Sequence, residues 1–464
     1  MVPPVYSTYG LVFQLNQTYD QNHIIQSFKN GLRMTLGQCR HLIGTIEKNE
    51  FGDFSGVRKK STAVKLEVQW LDEEDSVSYS ELADHHFSSF AFGDIAALCV
   101  EGMLYGILHP LNTSPVVSAF KFNFIHGGLI LTMHLHHCVI DNAGFGGFVY
   151  QLAENCYSII HKTQPPIWDI KCLDRSQFRC KGMLSLKQMN IAPQLVQHTL
   201  QPVHRPNTAV LLHLPKSKVE TLKYLATPPG GDIRISTYDA FSALLWRTVL
   251  RHRARIYSVD PQAPAFFYEI VNVRSRLGLP ARFQGSALLA PTTADLHHIP
   301  SIADVISDAL LWRLAVFVRQ VTATATPETL QALLDKASPV ADKTNLRLFE
   351  TPLTTMSLGI TDVREPPIYD ADFGFGQPKA FRHFFYPFCP ETLICVYPPR
   401  VLYEGDHDAG CEFHVPMEKE LVDAFLDDPD VQYYFDFVGL KLSPRMVYTE
   451  VSPGSGTCSS TCEQ

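Results

Sequence analysis

Apolar and polar positions follow two periods along this chain, and each period marks its own kind of element. "VSAFKFNFIHGG" (117–128) and "GLILTMHLHH" (128–137) read as two mostly buried strands joined at Gly127-Gly128, a hairpin signal. After Asp141 the period lengthens. Phe145, Phe148, Val149, Leu152 and Cys156 then recur at helical spacing, which predicts a helix starting near Asn142 or Ala143. A second helix is predicted in "STYDAFSALLWRTVLRHRAR". Ser236 and Asp239 form a helix-start box there, followed by the stripe Phe241, Leu244, Leu245, Thr248 and Val249. "VNVRSRL" (271–277) alternates in period two, so Arg274 and Arg276 are expected on one strand face, where buried guanidiniums require carboxylates. Asp141 is a candidate partner for either.

No internal repeat is present. Residues from about 162 to 206 lack sustained periodicity and carry proline at both ends, the marks of a long connection. The expected organisation is a first lobe over 1–165, a crossover over 166–206, a second lobe over 207–451 and a small, polar, disordered tail over 452–464.

Composition narrows the function classes. With 464 residues, 45% of them hydrophobic, the chain is long enough for large cores in two or three domains. Its formal charge of −8 supplies no basic field for a phosphate backbone, which excludes nucleic acid as a partner. The first residues carry no basic n-region followed by an apolar core, and no stretch approaches the roughly 20 uncharged residues of a membrane span. A cytoplasmic monomer without a membrane partner is expected. Eleven cysteines, an odd number without paired C-x2-C spacing, suit reduced thiols better than disulfides or a zinc site.

The candidate chemistry lies in "MHLHHCVID", where three histidines precede Asp141 at a strand-to-helix junction. On a strand His134 and His136 share a face that His137 does not, so the three do not converge on a metal. No metal site is expected. His134 reads as a core histidine. His137, four residues before Asp141, reads as a general base at the mouth of a cavity. The pair His85-His86 lacks an aspartate four residues on, so the doublet alone carries no chemistry.

The segment "HHCVID" resembles the H-x-x-x-D signature of BAHD-type acyl-CoA-dependent acyltransferases. Three further stretches, in the family's order, strengthen the resemblance. "STYDAFSALLWR" is similar to its S-T-x-D helix, "NVRSRLGLPARFQGSA" to its D-x-R-x-R and F-G-N-A segment, and "YDADFGFGQP" to its D-F-G-W-G signature. Asn142, Asn272, Ser286 and Phe375 depart from the family pattern, a combination that looks like the fungal secondary-metabolite branch, similar to trichothecene acetyltransferases.

The resemblance implies an α/β fold of two similar chloramphenicol-acetyltransferase-like lobes of mixed sheet, with a channel between them. It implies direct transfer of an acyl group, acetyl above all, from acyl-CoA to a hydroxyl or amine of a small, largely apolar metabolite. No bound cofactor is implied: acyl-CoA is a co-substrate. His137 would be the base. Asp141 would turn away to pair with an arginine of the 274–276 segment, Arg274 ahead of Arg276. Asp372, Gly374 and Gly376 of the second signature would be structural, on the coenzyme A side. A serine hydrolase is disfavoured because no G-x-S-x-G elbow occurs. A carrier-dependent condensation enzyme and a CoA-free cyclase on the same scaffold remain as alternatives.

Overall fold

The run of apolar residues from Val117 to His136 forms the centre of a five-stranded sheet. In the first half of the chain β1 (Tyr6–Gln14), helix α1 (Gln21–Gln38) and the ribbon β2 (Thr45–Lys48) and β3 (Phe54–Val57) come first. They are followed by β4 (Lys65–Leu71), the short helices α2 (Tyr79–Asp84) and α3 (Ile95–Leu98), β5 (Ser118–Ile125), β6 (Gly128–His136) and α4 (Asn142–His161). The computed structural model describes residues 4–178 and 205–441, apart from 17–18, 49–53, 60–61, 72–75, 110, 232, 341–345, 347–348, 350–352, 387–388 and 400–407. The expected tail and residues 179–204 of the expected crossover lie outside them.

Strands β5 and β6 pair antiparallel around the predicted turn, where Gly127 takes φ 72°. Every residue of both strands is buried because each sheet face is covered. Leu129, Leu131 and Phe122 pack on one side with Phe28 of α1 and Phe145 and Phe148 of α4. Ile125 and Ile130 pack on the other with Leu82 of α2 and Ile95 and Leu98 of α3. That double cover explains the continuous apolar run, which a half-exposed sheet would not tolerate. All five residues of the predicted α4 stripe are fully buried.

The second half contributes β7 (Asn207–Leu214), α5 (Lys216–Ala226), α6 (Thr237–Arg253), β8 (Phe267–Asn272), β9 (Leu288–Leu289), α7 (Ile302–Ile306), α8 (Leu311–Ala323) and α9 (Pro327–Ala337). The chain continues through β10 (Leu358–Asp362), β11 (Ala380–His383), β12 (Leu393–Tyr397), β13 (Cys411–Glu418), α10 (Val422–Leu426), α11 (Pro429–Tyr434) and β14 (Asp436–Lys441). Seven of these strands form a mixed sheet in the order β14-β7-β13-β12-β10-β8-β9. Helix α6 packs on it and against α5, α7 and α8. The predicted capping box is present, with Ser236 N–H and Oγ–H both donating to Asp239 Oδ2 at 2.6 and 2.7 Å. Trp246 and Arg247, which flank the predicted stripe, are buried as well, so α6 is an internal helix rather than an amphipathic one.

One strand departs from the division into halves. β11, from the second half, pairs antiparallel with β1 and completes the first sheet, in the order β11-β1-β6-β5-β4. Its neighbour in sequence, β12, lies in the second sheet, so the chain steps from one lobe to the other between them. Arg382 secures the step. Its guanidinium donates to the carbonyls of His86 and Phe87 in the first half and meets Glu412 of β13 at 2.8 Å, both side chains almost wholly buried.

Replacing Arg382 by leucine removes the guanidinium that meets buried Glu412, and breaking a buried ion pair from one side costs about 3–5 kcal/mol. We expect R382L to lower the chemical-denaturation midpoint accordingly and the double replacement with Glu412→Leu to recover much of the loss. Equal destabilisation by single and double variants would remove the pair from the account.

Candidate active site

Strand β6 stops at His136, and the next five residues turn the chain into α4. The turn closes with Val139 N–H donating to His136 O at 2.9 Å, while His137 N–H donates to Val5 O of the strand leading into β1. Asp141 caps the new helix, its Oδ1 accepting from Gly144 N–H at 2.7 Å. His137 and Asp141 therefore leave the turn in different directions.

The three histidines have three environments. His134 is wholly buried. Its Nε2 accepts from Val100 N–H at 3.0 Å and its Nδ1 lies 3.3 Å from Thr8 Oγ1, so both ring nitrogens are used inside the core. Burial holds it down to about 3. His136 lies with Nε2 3.4 Å from His109 O and is depressed to about 4 by burial. His137 alone is half-buried. Its Nδ1 is 3.2 Å from Ile140 O. A carbonyl only accepts, so Nδ1 carries the ring proton, and the Nε2 lone pair has no partner among the described residues. Burial pulls His137 below the ordinary histidine value, opposed by the Ile140 carbonyl and the Asp141 charge. The imidazole is thereby kept neutral.

Asp141 faces away from that lone pair. Arg274 grips it bidentately, NH2 to Oδ1 at 2.7 Å and NH1 to Oδ2 at 3.0 Å, and Ala287 N–H completes Oδ2 at 2.8 Å. The remaining donors of Arg274 are met too, by Asn272 Oδ1, Phe283 O and Gly285 O. Both side chains are 4% exposed, so this full complement is what makes the buried pair tolerable. Close approach is part of it: a Cβ on Gly144 would sit 2.9 Å from Ile140 Cγ1 and 3.0 Å from Gly285 O.

The expected shared strand face for Arg274 and Arg276 is incorrect. β8 ends at Asn272, whose Oδ1 accepts from Arg274 N–H at 3.1 Å and bends the backbone out of the strand. Arg276 goes elsewhere, donating at 2.9 Å to Thr322 O and to Ala325 O at the end of α8, where a cation suits exposed helix carbonyls. Asn272, a departure from the family pattern, still supplies the oxygen that orients Arg274. Asn142 Oδ1 and Ser286 Oγ are buried without a hydrogen-bond partner among the described residues.

Asp372, Gly374 and Gly376 are not brought to His137. Asp372 is exposed and accepts from Gly374 N–H at 2.7 Å in a turn whose Gly374 takes φ 84°. Phe373 and Phe375 are buried against Phe13, and Gly374 packs on Tyr157 and Ile160 of α4. Sixteen residues of helix separate Tyr157 from Asp141, roughly 24 Å at the α-helical rise. Beside this turn a groove of about 330 Å³ runs along Tyr150, Glu154, Tyr157 and Asp370.

One histidine packed beside the start of α4 is not legible in the sequence. "FRHFFYPF" is ambiguous between core strand and pocket. Its third residue, His383, stands on β11 against Tyr9, which stacks on Phe145 one turn into α4. Only the exchange of β11 into the first sheet brings His383 there, and no local pattern signals that exchange.

A family model described as the transferase family matches residues 81–431, and one described as the trichothecene 3-O-acetyltransferase-like N-terminal domain matches residues 5–156. An acetyltransferase of Gibberella zeae is 38% identical over 448 residues, 94% of this chain and 88% of its own. A trichothecene 3-O-acetyltransferase of Saccharomyces cerevisiae is 24% identical over 82% of this chain and 83% of its own. Among solved structures, that of the F. sporotrichioides protein TRI101 complexed with coenzyme A and T-2 has the same fold, with a TM-score of 0.77 at 18% identity over 94% of this chain and 96% of its own. Vinorine synthase follows at 0.63, again at 18% identity, over 94% and 92%.

Replacing Asp141 by asparagine leaves the buried Arg274 guanidinium without its counter-charge, and replacing Arg274 by lysine keeps the charge but removes the fork. Each is expected to lower stability by about 3–5 kcal/mol, read as loss of thermal midpoint. A change below 1 kcal/mol for both would mean that the pair does not hold the turn.

Proposed function

The chain belongs to the transferase family of BAHD-type acyltransferases, and from that membership we propose that it moves an acetyl group from acetyl-CoA to a hydroxyl of a small, largely apolar secondary metabolite, with His137 as general base. The single observation that carries the residue assignment is the 3.2 Å contact of His137 Nδ1 with Ile140 O, which assigns the ring proton to Nδ1 and leaves the Nε2 lone pair without a partner among the described residues.

The reaction needs one proton moved twice. The acceptor hydroxyl gives its proton to His137 Nε2 as its oxygen forms a bond to the thioester carbonyl carbon. The tetrahedral oxyanion then collapses, the C–S bond breaks, and the coenzyme A thiolate takes the proton back from the imidazolium. No acyl-enzyme is required. Asp141 does not act as the third member of a relay. It is spent on Arg274, and its part is to fix the turn from which His137 projects. The amides of Asn142 and Ala143, in the first turn of α4 and without a described partner, are the candidate oxyanion donors.

Isothermal calorimetry with acetyl-CoA and with coenzyme A tests the donor. We expect micromolar binding that survives in His137→Ala, while turnover of a hydroxylated acceptor, read as thiol release, falls by roughly 10²–10⁴-fold. An absence of binding at millimolar coenzyme A would overturn the acyl-CoA reading.

The pH profile tests the base. Catalysis needs neutral His137, so activity is lost as pH falls through its value in the protein, and burial sets that value below 6.5. The acid limb of kcat/KM is therefore expected below pH 6.5. A limb above it contradicts the assignment.

A further inference from the structure

A second imidazole stands on the same face of the first sheet as the α4 start. His383 pairs in register with Tyr9, and the two rings meet edge to face at 4.9 Å. Tyr9 in turn stacks at 3.8 Å on Phe145, four residues after Asp141. His383 stacks on Phe385 at 5.1 Å, nearly parallel, and its Nδ1 lies 3.1 Å from the hydroxyl of Tyr397 on β12. The ring is thus held from three sides by residues of both lobes.

The hydroxyl of Tyr397 fixes which nitrogen carries the proton. Its oxygen already accepts from His383 N–H at 3.4 Å, and the phenol is 1% exposed. If Nδ1 carried the ring proton, the phenolic proton would be left without an acceptor among the described residues. If the phenol donates to Nδ1, both groups are satisfied, and Nε2 becomes the N–H. That nitrogen has no hydrogen-bond partner among the described residues, yet it does not belong to the buried unpartnered atoms, and the residue keeps 9% of its surface accessible. Burial, with the neighbouring His137 adding to it, drives His383 down to about 3, so the ring is neutral throughout the working range. Phe385 in turn meets Tyr105 edge to face at 4.6 Å, which makes the surroundings aromatic and apolar.

His137 and His383 therefore present opposite faces of the same chemistry: a bare lone pair on one, an N–H on the other. We propose that His383 Nε2–H is a specificity-determining hydrogen-bond donor for the acceptor substrate, so that the preferred acceptor is an apolar skeleton carrying, besides the hydroxyl that reaches His137, a second oxygen that accepts from His383. Tyr397 is a positioning residue that sets the tautomer. This rests on the transferase reading of the same site and narrows its substrate class to oxygenated alcohols.

Two measurements test it on the full chain. Nitrogen-15 NMR of histidine-labelled protein, with His383 and His137 assigned by single replacement, reads the tautomers directly. Nε2–H for His383 and Nδ1–H for His137 are expected, and a shift of His383 towards the other tautomer in Tyr397→Phe. Nδ1–H at His383 overturns the proposal whatever the acceptor. The second measurement compares KM and kcat for a monohydroxylated bicyclic terpenoid and its keto-hydroxy analogue in wild type, His383→Phe and His383→Gln. Wild type is expected to favour the keto alcohol roughly tenfold in KM. The phenylalanine variant should lose that preference at little change in kcat, and glutamine should restore part of it. An undiminished preference in a folded His383→Phe, or wild-type indifference to the keto group, overturns the proposal. Failure of the wild type to bind coenzyme A would instead remove the transferase reading, and the tautomer result would stand apart from it.

Discussion

The contact between Asp141 and Arg274 is the constraint to which the rest of this site answers. Both groups are out of water, and desolvating each ion costs several kcal/mol unless its partners are fully supplied. Supplying them recruits Asn272, Phe283, Gly285 and Ala287 from the second half and the first turn of α4 from the first. The need to bring those groups within hydrogen-bond reach determines where the loop after β8 runs and why no side chain fits at Gly144. His137 inherits its position from this arrangement without being part of it. Its own hydrogen bond is local, to Ile140 O three residues on.

This separates two roles that a relay would combine. The carboxylate holds the turn, and in the reaction we propose the imidazole is the base, its proton affinity lowered by burial. In that reaction a base weakened by burial releases its proton readily, which suits return of the proton to the departing thiolate. The second signature serves neither role, since Asp372 shapes a turn, and Phe373 and Phe375 anchor that turn on Phe13.

Elements set by local period and capping were legible in the chain. The hairpin at Gly127-Gly128, the start of α4 and the box at Ser236 follow from spacing, because near neighbours in sequence supply most of their contacts. The alternation of "VNVRSRL" misled, since Asn272 competes for the backbone of Arg274 and ends the strand before the arginines. Arg274 and Arg276 thus diverge by a side-chain hydrogen bond that no apolar pattern encodes. His383 was hidden for a different reason. Its neighbours Tyr9 and Tyr397 are remote in sequence or in sheet, and their convergence depends on sheet order. Period reports which face of an element is buried; it is silent on which sheet the element joins.

That sheet order has a kinetic side. The outer edge of β1 is covered in the native protein by residues 380–383, so on the ribosome it waits for a strand that emerges more than 360 residues later. At about 5–20 residues per second, the edge stays open for roughly 20 to 70 s. An apolar, eight-ninths buried strand with unpaired amides is a template for intermolecular pairing during that interval. The first sheet of this chain is thus complete only once residues 380–383 have emerged, and until then shielding of β1 is what would keep it from pairing with another chain.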